Sequence, residues 1–493
     1  MPPLAVARDW RRFLTLALVI VVAGCTGAGQ GESAEVTPLS DESATSNELF
    51  SRLPSNVTDI RFENKLEETS ELNVFTYRNF YNGGGVGTAD LNGDGLPEIL
   101  LTSNQGGPKL FLNQGHFHFR DITKESGLTT DRGTWTTGVA IGDVNGDGLL
   151  DIYICRAGPG DPGQRANQLW INQGVGKDGV PHFKEMAKQY GVDDEGYSTQ
   201  AVFLDYNHDG NLDLFVIENS PRSVKTVGNA NLRIERSQYG GAKLFRNDGN
   251  GHFTDVSLQA GIYSPDIAFG LGVAVADVNN DGWPDIYVSN DFSERDYLYI
   301  NNRDGTFSEV LDKEMPIVSY FSMGLDIADL DNDGWPDVYT TDMLPDDQIR
   351  LGTTSTFESW QQYQSRVKGG YHHQLMRNML QHNNHDSTIR DVGQRSGVAR
   401  TESHHPFAGE VVENGVPVFT HGEDALAIPV HDLERCGDTP CQSSARSLTL
   451  ELGDAPFERL DARIGRARGL IRSLGRRRLG GSSEEHALLT GRT

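Results

Sequence analysis

Short hydrophobic stretches, separated by turns rich in Gly, Asn and Asp, recur through the middle of this chain. Each repeat begins with a small, glycine-rich apolar stretch such as 138–142, continues with a β-branched and aromatic run such as 151–155, and reaches a third stretch that ends in Asn, as at 169–172. A turn then leads to a fourth stretch such as 251–256. Strands bounded by turns of this kind pair as hairpins. The pattern therefore predicts an all-β chain with four short strands in each repeat.

The spacing of the repeats predicts how they are arranged. They follow one another at intervals of 52 to 72 residues, and four-stranded units that recur in this way are typical of the blades of a β-propeller. A propeller closes by pairing its last strand with its first, which removes exposed edges. Because the repeat stops near residue 400, before a sixth unit is finished, we expect a β-propeller over residues 57–400 that is incomplete at its C-terminal end.

The connection after the first strand of each repeat has the composition of a metal-binding loop. Acidic or amide residues stand at its first, third, fifth and ninth places, with Gly at the sixth, and Ca²⁺ takes about six to eight oxygen ligands from loops of this kind. The predicted ligands are Asp90, Asn92, Asp94 and Glu98; Asp143, Asn145, Asp147 and Asp151; Asp205, Asn207, Asp209 and Asp213; Asp277, Asn279, Asp281 and Asp285; and Asp329, Asp331, Asp333 and Asp337.

These loops are not EF-hands. An EF-hand adds a bidentate Glu at the twelfth place and flanks the loop with helices, whereas the twelfth place holds Leu101 in the first loop and Ile154 in the second. A strand is predicted to follow each loop instead of a helix. We therefore expect calcium loops embedded in a β repeat, in which the carboxylates are ligands and not acid–base catalysts.

The same residues carry a family resemblance. The stretch 269–277, Phe-Gly-x-Gly-Val-Ala-x-Ala-Asp, followed by Asn280-Asp281-Gly282, resembles the FG-GAP/VCBS repeats of integrin-α-type propellers. The segments 341–345, 370–374 and 377–381 are similar to those of a bacterial group of VCBS-repeat lipoproteins that usually end in an ASPIC/UnbV domain. The resemblance spans about residues 57 to 400 and implies that the calcium loops are mostly structural.

The charge of the chain fits this prediction. The formal net charge is −26, and the five loops contain 16 of the carboxylates, so bound Ca²⁺ would offset part of the acidity. A solvated acidic surface is the alternative explanation, but the regular loop spacing favours metal sites as the reason for the 16 loop carboxylates. Binding of nucleic acid is not expected, because phosphate contacts require concentrated Lys and Arg.

The N-terminus predicts export and a lipid anchor. Arg8, Arg11 and Arg12 precede an apolar stretch at 13–22, which is too short to span a bilayer and fits a signal peptide. The stretch Val-Ala-Gly-Cys at 22–25 resembles a bacterial lipobox, so residues 1–25 are predicted to be a lipoprotein signal ending at the lipidated Cys25. An ordinary signal peptide with an incidental cysteine is the alternative. Residues 26–56 are predicted to be a flexible tether, and Thr26 favours the outer membrane of a Gram-negative cell.

Residues 401–493 differ in composition from the repeats. They contain no Tyr or Trp but eleven Arg, and we expect a disordered, Arg-rich tail there. An out-of-frame or mis-joined coding product is favoured over a basic surface helix at 459–478. A disulfide between Cys436 and Cys441 is left open, whereas Cys155 is predicted to be a small buried residue in a strand.

No catalytic motif is found: the chain has no G-x-S-x-G elbow, no P-loop and no HExxH. The spacing of His372, His373, His382 and His385 matches no zinc template, so a structural or surface role is favoured for the first two. The inserts 219–242 and 342–377 are the better places for recognition. Trp360, Tyr363 and Tyr371 could stack on a sugar or pack the second insert onto the propeller.

The sequence as a whole predicts a calcium-binding propeller lipoprotein that acts as a binding or interaction module at the cell envelope, with a glycan or an envelope protein as partner. An enzyme on the same scaffold, a polysaccharide lyase or hydrolase, is the alternative. A cleft with converging His, Asp or Arg outside the loops would favour the enzyme, and a face with exposed aromatic side chains would favour binding.

Overall fold

The predicted strands form five separate four-stranded sheets in a computed structural model of the chain. The structure describes residues 52–129, 135–220, 233–292, 294–346, 349, 351–352, 358–401, 410–413 and 416–419. Every four-stranded sheet is antiparallel, and its strands lie side by side in the order in which they occur along the chain. The all-β fold class and the four-stranded repeat are confirmed.

The strand bounds are as follows. Sheet I comprises β1 (Val86–Ala89), β2 (Glu98–Leu101), β3 (Lys109–Asn113) and β4 (Phe119–Asp121). Sheet II comprises β5 (Trp135–Gly142), β6 (Asp151–Ala157), β7 (Gln168–Val175) and β8 (Pro181–Glu185). Sheet III comprises β9 (Ser198–Leu204), β10 (Asp213–Glu218), β11 (Gly241–Asn247) and β12 (Phe253–Asp255). Sheet IV comprises β13 (Gly270–Ala276), β14 (Asp285–Asn290), β15 (Tyr297–Asn301) and β16 (Phe307–Glu309).

Sheet V is interrupted by an insert. It comprises β18 (Leu325–Ala328), β19 (Asp337–Thr340), β21 (Met379–Asn383) and β22 (Ile389–Asp391). Strand β17 (Val318–Ser319), which precedes β18, forms a short parallel pair with β20 (Gln374–Leu375), which lies in the insert. Strands β23 (Glu410–Glu413) and β24 (Val416–Phe419) form an antiparallel pair. The helices are α1 (Ser55–Thr58), α2 (Ala187–Tyr190), α3 (Leu311–Glu314), α4 (Trp360–Lys368) and α5 (Gly393–Ser396). Two 3₁₀ turns occur at Arg78–Tyr81 and Pro162–Gln164.

Four hydrophobic cores join the five sheets in series, I to II, II to III, III to IV and IV to V. All residues of strand β10 are buried because both of its faces are covered. Leu214 and Val216 face sheet II, whereas Phe215 and Ile217 face sheet IV. Because both faces of an inner strand are covered, its sequence is continuously hydrophobic. Within the described residues, no core cluster joins sheet V to sheet I.

The glycines of the first strands permit the sheets to approach closely. A Cβ at Gly138 would lie 2.6 Å from the carbonyl oxygen of Thr199, and one at Gly85 would lie 2.8 Å from that of Thr137, so no side chain fits at either place. Hydroxyl groups then connect the strands: Thr137 Oγ1 donates to the Ser198 carbonyl at 2.7 Å. The glycine-rich first strand is therefore the line along which neighbouring sheets meet.

The segment before β1 covers the outer face of sheet I. Ile60 and Phe62 pack against a core that includes Ile99 and Phe111, on the face of this sheet opposite to sheet II. This apolar face is thereby kept from water by the chain that precedes the first repeat.

Several predictions about the ends of the chain fall outside the described part. The signal peptide, Cys25 and most of the tether lie there, as do Cys436, Cys441 and, apart from the hairpin of β23 and β24, nearly all of the tail. Cys155 is fully buried in β6, as predicted. Among the described residues, no helix is both long enough and apolar enough to cross a membrane.

Candidate metal centres

The five predicted calcium loops all connect the first strand of a sheet to its second. We name them L1 (90–98), L2 (143–151), L3 (205–213), L4 (277–285) and L5 (329–337), and number the places in each from 1 to 9. In every case place 9 is the first residue of the second strand, namely Glu98, Asp151, Asp213, Asp285 and Asp337. The sequence pattern and the strand pairing therefore coincide in all five repeats.

All five loops have the same backbone conformation at two places. The Gly at place 6 has a φ between +85° and +91°, which a residue with a Cβ rarely adopts. Place 4 also has a positive φ, in Gly93 and Gly146 as well as in the non-glycine residues His208 (56°), Asn280 (53°) and Asn332 (62°). These two left-handed residues fold the chain around the acidic side chains.

The acidic side chains are oriented by the loop's own N–H groups. In L1, Asp90 Oδ1 accepts from the N–H groups of Gly93 at 2.8 Å and Asp94 at 3.1 Å, and its Oδ2 accepts from Gly95 at 2.8 Å. L2 repeats all three bonds, and the bonds to places 5 and 6 recur in L3, L4 and L5. The side chain at place 1 is therefore held in the same way by the backbone in all five loops.

The carboxylate at place 9 is buried and holds the base of the loop. In L2, Asp151 Oδ2 accepts from the N–H of Val144 at 3.1 Å, and its Oδ1 accepts from the N–H of Asn172 at 2.8 Å. Burial, together with the charges of the other loop carboxylates, raises the pKa of Glu98, Asp151, Asp213 and Asp285 to about 7, and burial raises that of Asp337. A bound cation would favour the ionised form of each.

Neighbouring loops are connected to each other. An Asn of the third strand, which is the last residue of that strand in sheets III to V and an inner residue of β7 in sheet II, donates through Nδ2 to the carbonyl at place 2 of the preceding loop. Asn172, for example, donates to Leu91 at 3.0 Å. The same bond runs from Asn247 to Val144, from Asn301 to Tyr206 and from Asn383 to Val278. The five loops therefore lie at the same end of their sheets.

The residues present fit a hard divalent cation. Each loop offers carboxylate oxygens, and L1 to L4 add the amide oxygen of the Asn at place 3; Ca²⁺ prefers oxygen ligands of both kinds. Among the described residues of L2 and L3, no Lys or Arg forms an ion pair with a loop carboxylate. L4 differs, because Arg303 lies 2.8 Å from Asp281 Oδ2. Although burial acts to raise the pKa of Asp281, the hydrogen bond from Arg303 keeps it below its ordinary value.

The sequence did not place Arg303, His382 and His385 beside the loops. Arg303 and His385 both stand two places after the Asn that ends a third strand, where the other sheets have Gly115, Gly174 and Gly249. His385 Nε2 lies 2.6 Å from Asp333 Oδ2, and His382 Nδ1 lies 3.2 Å from Asp337 Oδ1. Aligning the five repeats with one another would have found these positions, whereas a zinc template searches for ligands that are close in sequence.

The other candidate residues have structural contacts. His372 Nε2 donates to the Met315 carbonyl oxygen at 2.9 Å and its Nδ1 lies 3.0 Å from Asp312 Oδ1, and Tyr371 is buried. Trp360, by contrast, is 66% exposed and stacks on Tyr363 with ring centroids 5.3 Å apart. This aromatic pair on α4 is a surface feature of the second insert.

In the described part of the chain, a cavity lies outside the loops. It has a volume of about 430 Å³ and is lined by Asp194, Glu195, Arg236, Tyr239, Lys243 and Asp255, among others. Lys243 Nζ lies 2.5 Å from Asp194 Oδ2 and 3.2 Å from the buried Glu218 Oε1. Burial and the charge of Asp194 raise the pKa of Glu218 well above its ordinary value, whereas hydrogen bonds from Glu218 and Lys243 outweigh burial and lower that of Asp194.

Comparison with known proteins finds a similarity for parts of the repeat region. A model of the FG-GAP-like repeat matches residues 90–154, 234–288 and 277–340. Cartilage acidic protein 1 of Mus musculus is 30% identical over 220 residues, which cover 42% of this chain and 31% of the mouse protein. The matched part thus spans less than a third of that relative.

Solved structures resemble the chain only distantly. An Agrocybe aegerita lectin that recognises non-reducing terminal N-acetylglucosamine has 16% identity and a TM-score of 0.35, covering 64% of this chain and 68% of its own. The biofilm matrix protein Bap1 of V. cholerae has 14% identity and a TM-score of 0.30, over 62% and 38%. A β-1,3-galactosidase, BT3683, has 10% identity and a TM-score of 0.31, over 62% and 93%.

Proposed function

We propose that this chain, which carries FG-GAP-like repeats, is a calcium-stabilised β-propeller that is exported, lipid-anchored through Cys25, and used as a binding module at the cell envelope. Its partner would be a glycan or an envelope protein. The calcium ions would rigidify the scaffold, and recognition would fall to side chains outside L1 to L5.

The observation that carries the proposal is the repetition of one loop geometry in five sheets. The same two left-handed residues and the same bonds from places 5 and 6 to the first Asp occur in each loop. Surface acidity alone gives no reason for the same backbone geometry to recur around acidic side chains in five loops. A cation would relieve the repulsion between the carboxylates that these bonds hold together.

The packing of the sheets supports a propeller. The first strands of consecutive sheets lie against each other, and the four cores lie between consecutive sheets. In addition, the guanidinium of Arg78, which precedes sheet I, lies 4.4 Å from the ring centre of Phe292, which follows the second strand of sheet IV. When sheets follow one another along the chain and the segment before the first sheet contacts a later sheet, the sheets must be arranged on a curved path around an axis, as in a propeller.

The surface supports binding through aromatic side chains. Trp360 and Tyr363 are stacked at the start of α4 in the second insert, which projects from sheet V between β19 and β21. Exposed aromatic rings provide flat apolar surface together with a polar group, which suits contact with a sugar ring or a protein. We propose this aromatic pair as part of the recognition surface.

The enzymatic alternative has one observation in its favour, which is the cavity at Lys243. Burial raises the pKa of Glu218, and hydrogen bonds lower that of the neighbouring Asp194. Two carboxyl groups whose pKa values are shifted apart in this way suit polysaccharide cleavage by acid catalysis. Turnover of polysaccharides that is abolished by Glu218→Gln but unaffected by Trp360→Ala would establish this alternative in place of the binding module.

Calorimetry on the full-length chain in detergent, with excess Ca²⁺ and with chelator, tests the calcium part. We expect one sharp transition at a clearly higher temperature in Ca²⁺, and a smaller difference in Asp147→Asn, which removes one carboxylate of L2. Asp178→Asn is the matched control, because Asp178 is exposed and lies outside every loop. Melting that is equal in Ca²⁺ and in chelator would refute the proposal.

Binding and anchoring need separate measurements. We expect binding to a subset of glycans on an array in the presence of Ca²⁺, weakened at least tenfold by Trp360→Ala. For the anchor, we expect Cys25→Ser to abolish incorporation of labelled palmitate. A Cys25→Ser chain that still incorporates the label would contradict lipidation at this residue.

A further inference from the structure

L5 differs from the other four loops at two positions that can hold a metal. At place 3 the other loops have Asn, whereas L5 has Asp331. Immediately before the Asn that ends the third strand, sheet V has His382. The corresponding residues in sheets I to IV are Leu112, Ile171, Arg246 and Ile300. L5 therefore has one additional carboxylate and a neighbouring imidazole, both within one repeat.

Strand pairing brings this imidazole to the loop although it is distant in sequence. Gln381 of β21 pairs with Val338 of β19, which places His382 beside the end of L5. His382 Nδ1 lies 3.6 Å from Asp331 Oδ2, and one ligand atom each of His382, Asp331 and Asp333 lie within 4.8 Å of one another. Bonds of about 2.0–2.2 Å from one ion to imidazole nitrogen and carboxylate oxygen allow two ligand atoms to be up to about 4.4 Å apart, and the distance of 3.6 Å between His382 and Asp331 lies within this range.

A second histidine supports the same group from outside. His385 Nε2 lies 2.6 Å from Asp333 Oδ2, and the His385 ring stacks on Trp335 with centroids 4.9 Å apart and an angle of 16° between the planes. A hydrogen bond to a ligand carboxylate from a side chain that is itself held in place orients that carboxylate towards the metal. His385 is therefore a positioning residue for Asp333.

The donor atoms determine which metal such a site prefers. Ca²⁺ is bound by oxygen, whereas a site that combines imidazole nitrogen with carboxylates suits zinc and similar divalent transition metals. We propose that L5 is a site for a divalent transition metal, with His382, Asp331 and Asp333 as ligands, while L1 to L4 remain oxygen-only sites. The inference rests on the proposed function in that it assumes that these loops bind metal ions.

If the His382 imidazole had a different role, no preference of L5 for a transition metal would be expected. If His382 were only a cationic partner of the additional carboxylate, as Arg303 is of Asp281 in L4, the fifth loop would show no preference for a transition metal. Replacing His382 would then leave the binding of zinc or cobalt unchanged.

The test is a titration of the full-length chain in detergent with Co²⁺, in the presence of millimolar Ca²⁺, followed by visible ligand-field absorption. We expect one equivalent of Co²⁺ per chain, which Zn²⁺ displaces. His382→Gln and Asp331→Asn should each weaken this binding at least tenfold, and His385→Gln should weaken it less. His252→Gln is the control, because His252 is an exposed histidine that faces no loop carboxylate.

Circular dichroism would verify that each variant folds. Unchanged Co²⁺ affinity in His382→Gln, or complete displacement of Co²⁺ from the wild-type chain by millimolar Ca²⁺, would overturn the proposal. A calcium titration of the same samples distinguishes it from the calcium proposal: Co²⁺ binding at L5 without calcium binding at L1 to L4 would refute the calcium scaffold while supporting this site.

Discussion

Arg303 Nη2 lies 2.8 Å from Asp281 Oδ2, so that L4 contains a cationic side chain at the place where a metal ion would be bound. Arg303 has a φ of +64° and stands where sheets I to III have Gly. An arginine in this position must be displaced from Asp281, at least in part, when a cation is bound to L4.

We therefore expect Arg303→Gln to increase the affinity of one site for Ca²⁺. Because Arg303 is half exposed, the effect should be small, about two- to fivefold. The measurement is the Ca²⁺ concentration that gives half of the maximal thermal stabilisation. Arg120→Gln is the control, since Arg120 pairs with Glu125 outside the loops. A higher Ca²⁺ requirement in Arg303→Gln would show that Arg303 assists the site.

Asn172 is buried and donates to the carbonyl oxygens of Leu91 at 3.0 Å and Leu150 at 3.2 Å, so it links two sheets. Asn172→Ala leaves both carbonyls without this donor and should lower the free energy of unfolding by about 1–3 kcal/mol. Urea denaturation in excess Ca²⁺ measures the change. The neighbouring Gln173→Ala is exposed and should change stability by less than about 0.5 kcal/mol. Equal effects of the two substitutions would contradict the linking role.

Gly138 lies where sheets II and III meet. An alanine there would place its Cβ 2.6 Å from the Thr199 carbonyl oxygen, and the required displacement of backbone should cost about 1–3 kcal/mol or more. Gly163 offers a matched control, because a Cβ at that position meets no atom nearer than 3.8 Å. Thermal unfolding of Gly138→Ala and Gly163→Ala in Ca²⁺ would compare them, and a stable Gly138→Ala chain would mean that these sheets can move apart.

Asp296 is buried in sheet IV, where Tyr287 Oη donates to it at 2.7 Å and the Asn290 N–H at 2.8 Å. Burial raises its pKa from 3.8 to about 7. Because the folded chain binds this proton more tightly than the unfolded chain, the stability from Asp296 is fully present below pH 3.8 and is lost as the pH rises to about 7.

Asp296→Asn resembles the protonated form and does not titrate. We expect the free energy of unfolding of the variant, relative to wild type, to increase by up to about 3 kcal/mol between pH 5 and pH 8. Denaturation in saturating Ca²⁺ measures this and keeps the loop carboxylates ionised. Asp304→Asn, on the exposed turn before β16, is the control. A constant difference across this pH range would show that Asp296 is ionised throughout.

The sequence was sufficient for the repeat and for the loops, because both depend on local patterns. The glycine-rich first strand, the acidic loop and the terminal Asn lie within one repeat, so the four strands and the place of each loop between the first two follow from spacing, whereas the twenty metal ligands stay a prediction. The role of that Asn was not predicted, since its bond to the preceding loop joins residues 81 to 105 places apart.

The neighbours of L4 and L5 were missed for the same reason. Arg303 lies 22 residues from Asp281 and His382 lies 45 from Asp337, and each reaches its loop only through the pairing of the second strand with the third. The structural role expected for His372 agrees with its contacts to Asp312 and Met315. The lipid anchor and calcium binding itself stay predictions.

The bond from each third-strand Asn to the loop before it also bears on synthesis at the ribosome. L1 gains its donor from Asn172 only after a further 81 residues have been made, and the corresponding delays for L2, L3 and L4 are 103, 95 and 105 residues. Each loop therefore gains its last hydrogen-bond donor when the next repeat has been synthesised. We expect the repeats of the nascent chain to fold in N-to-C order, each after the repeat that follows it has been made.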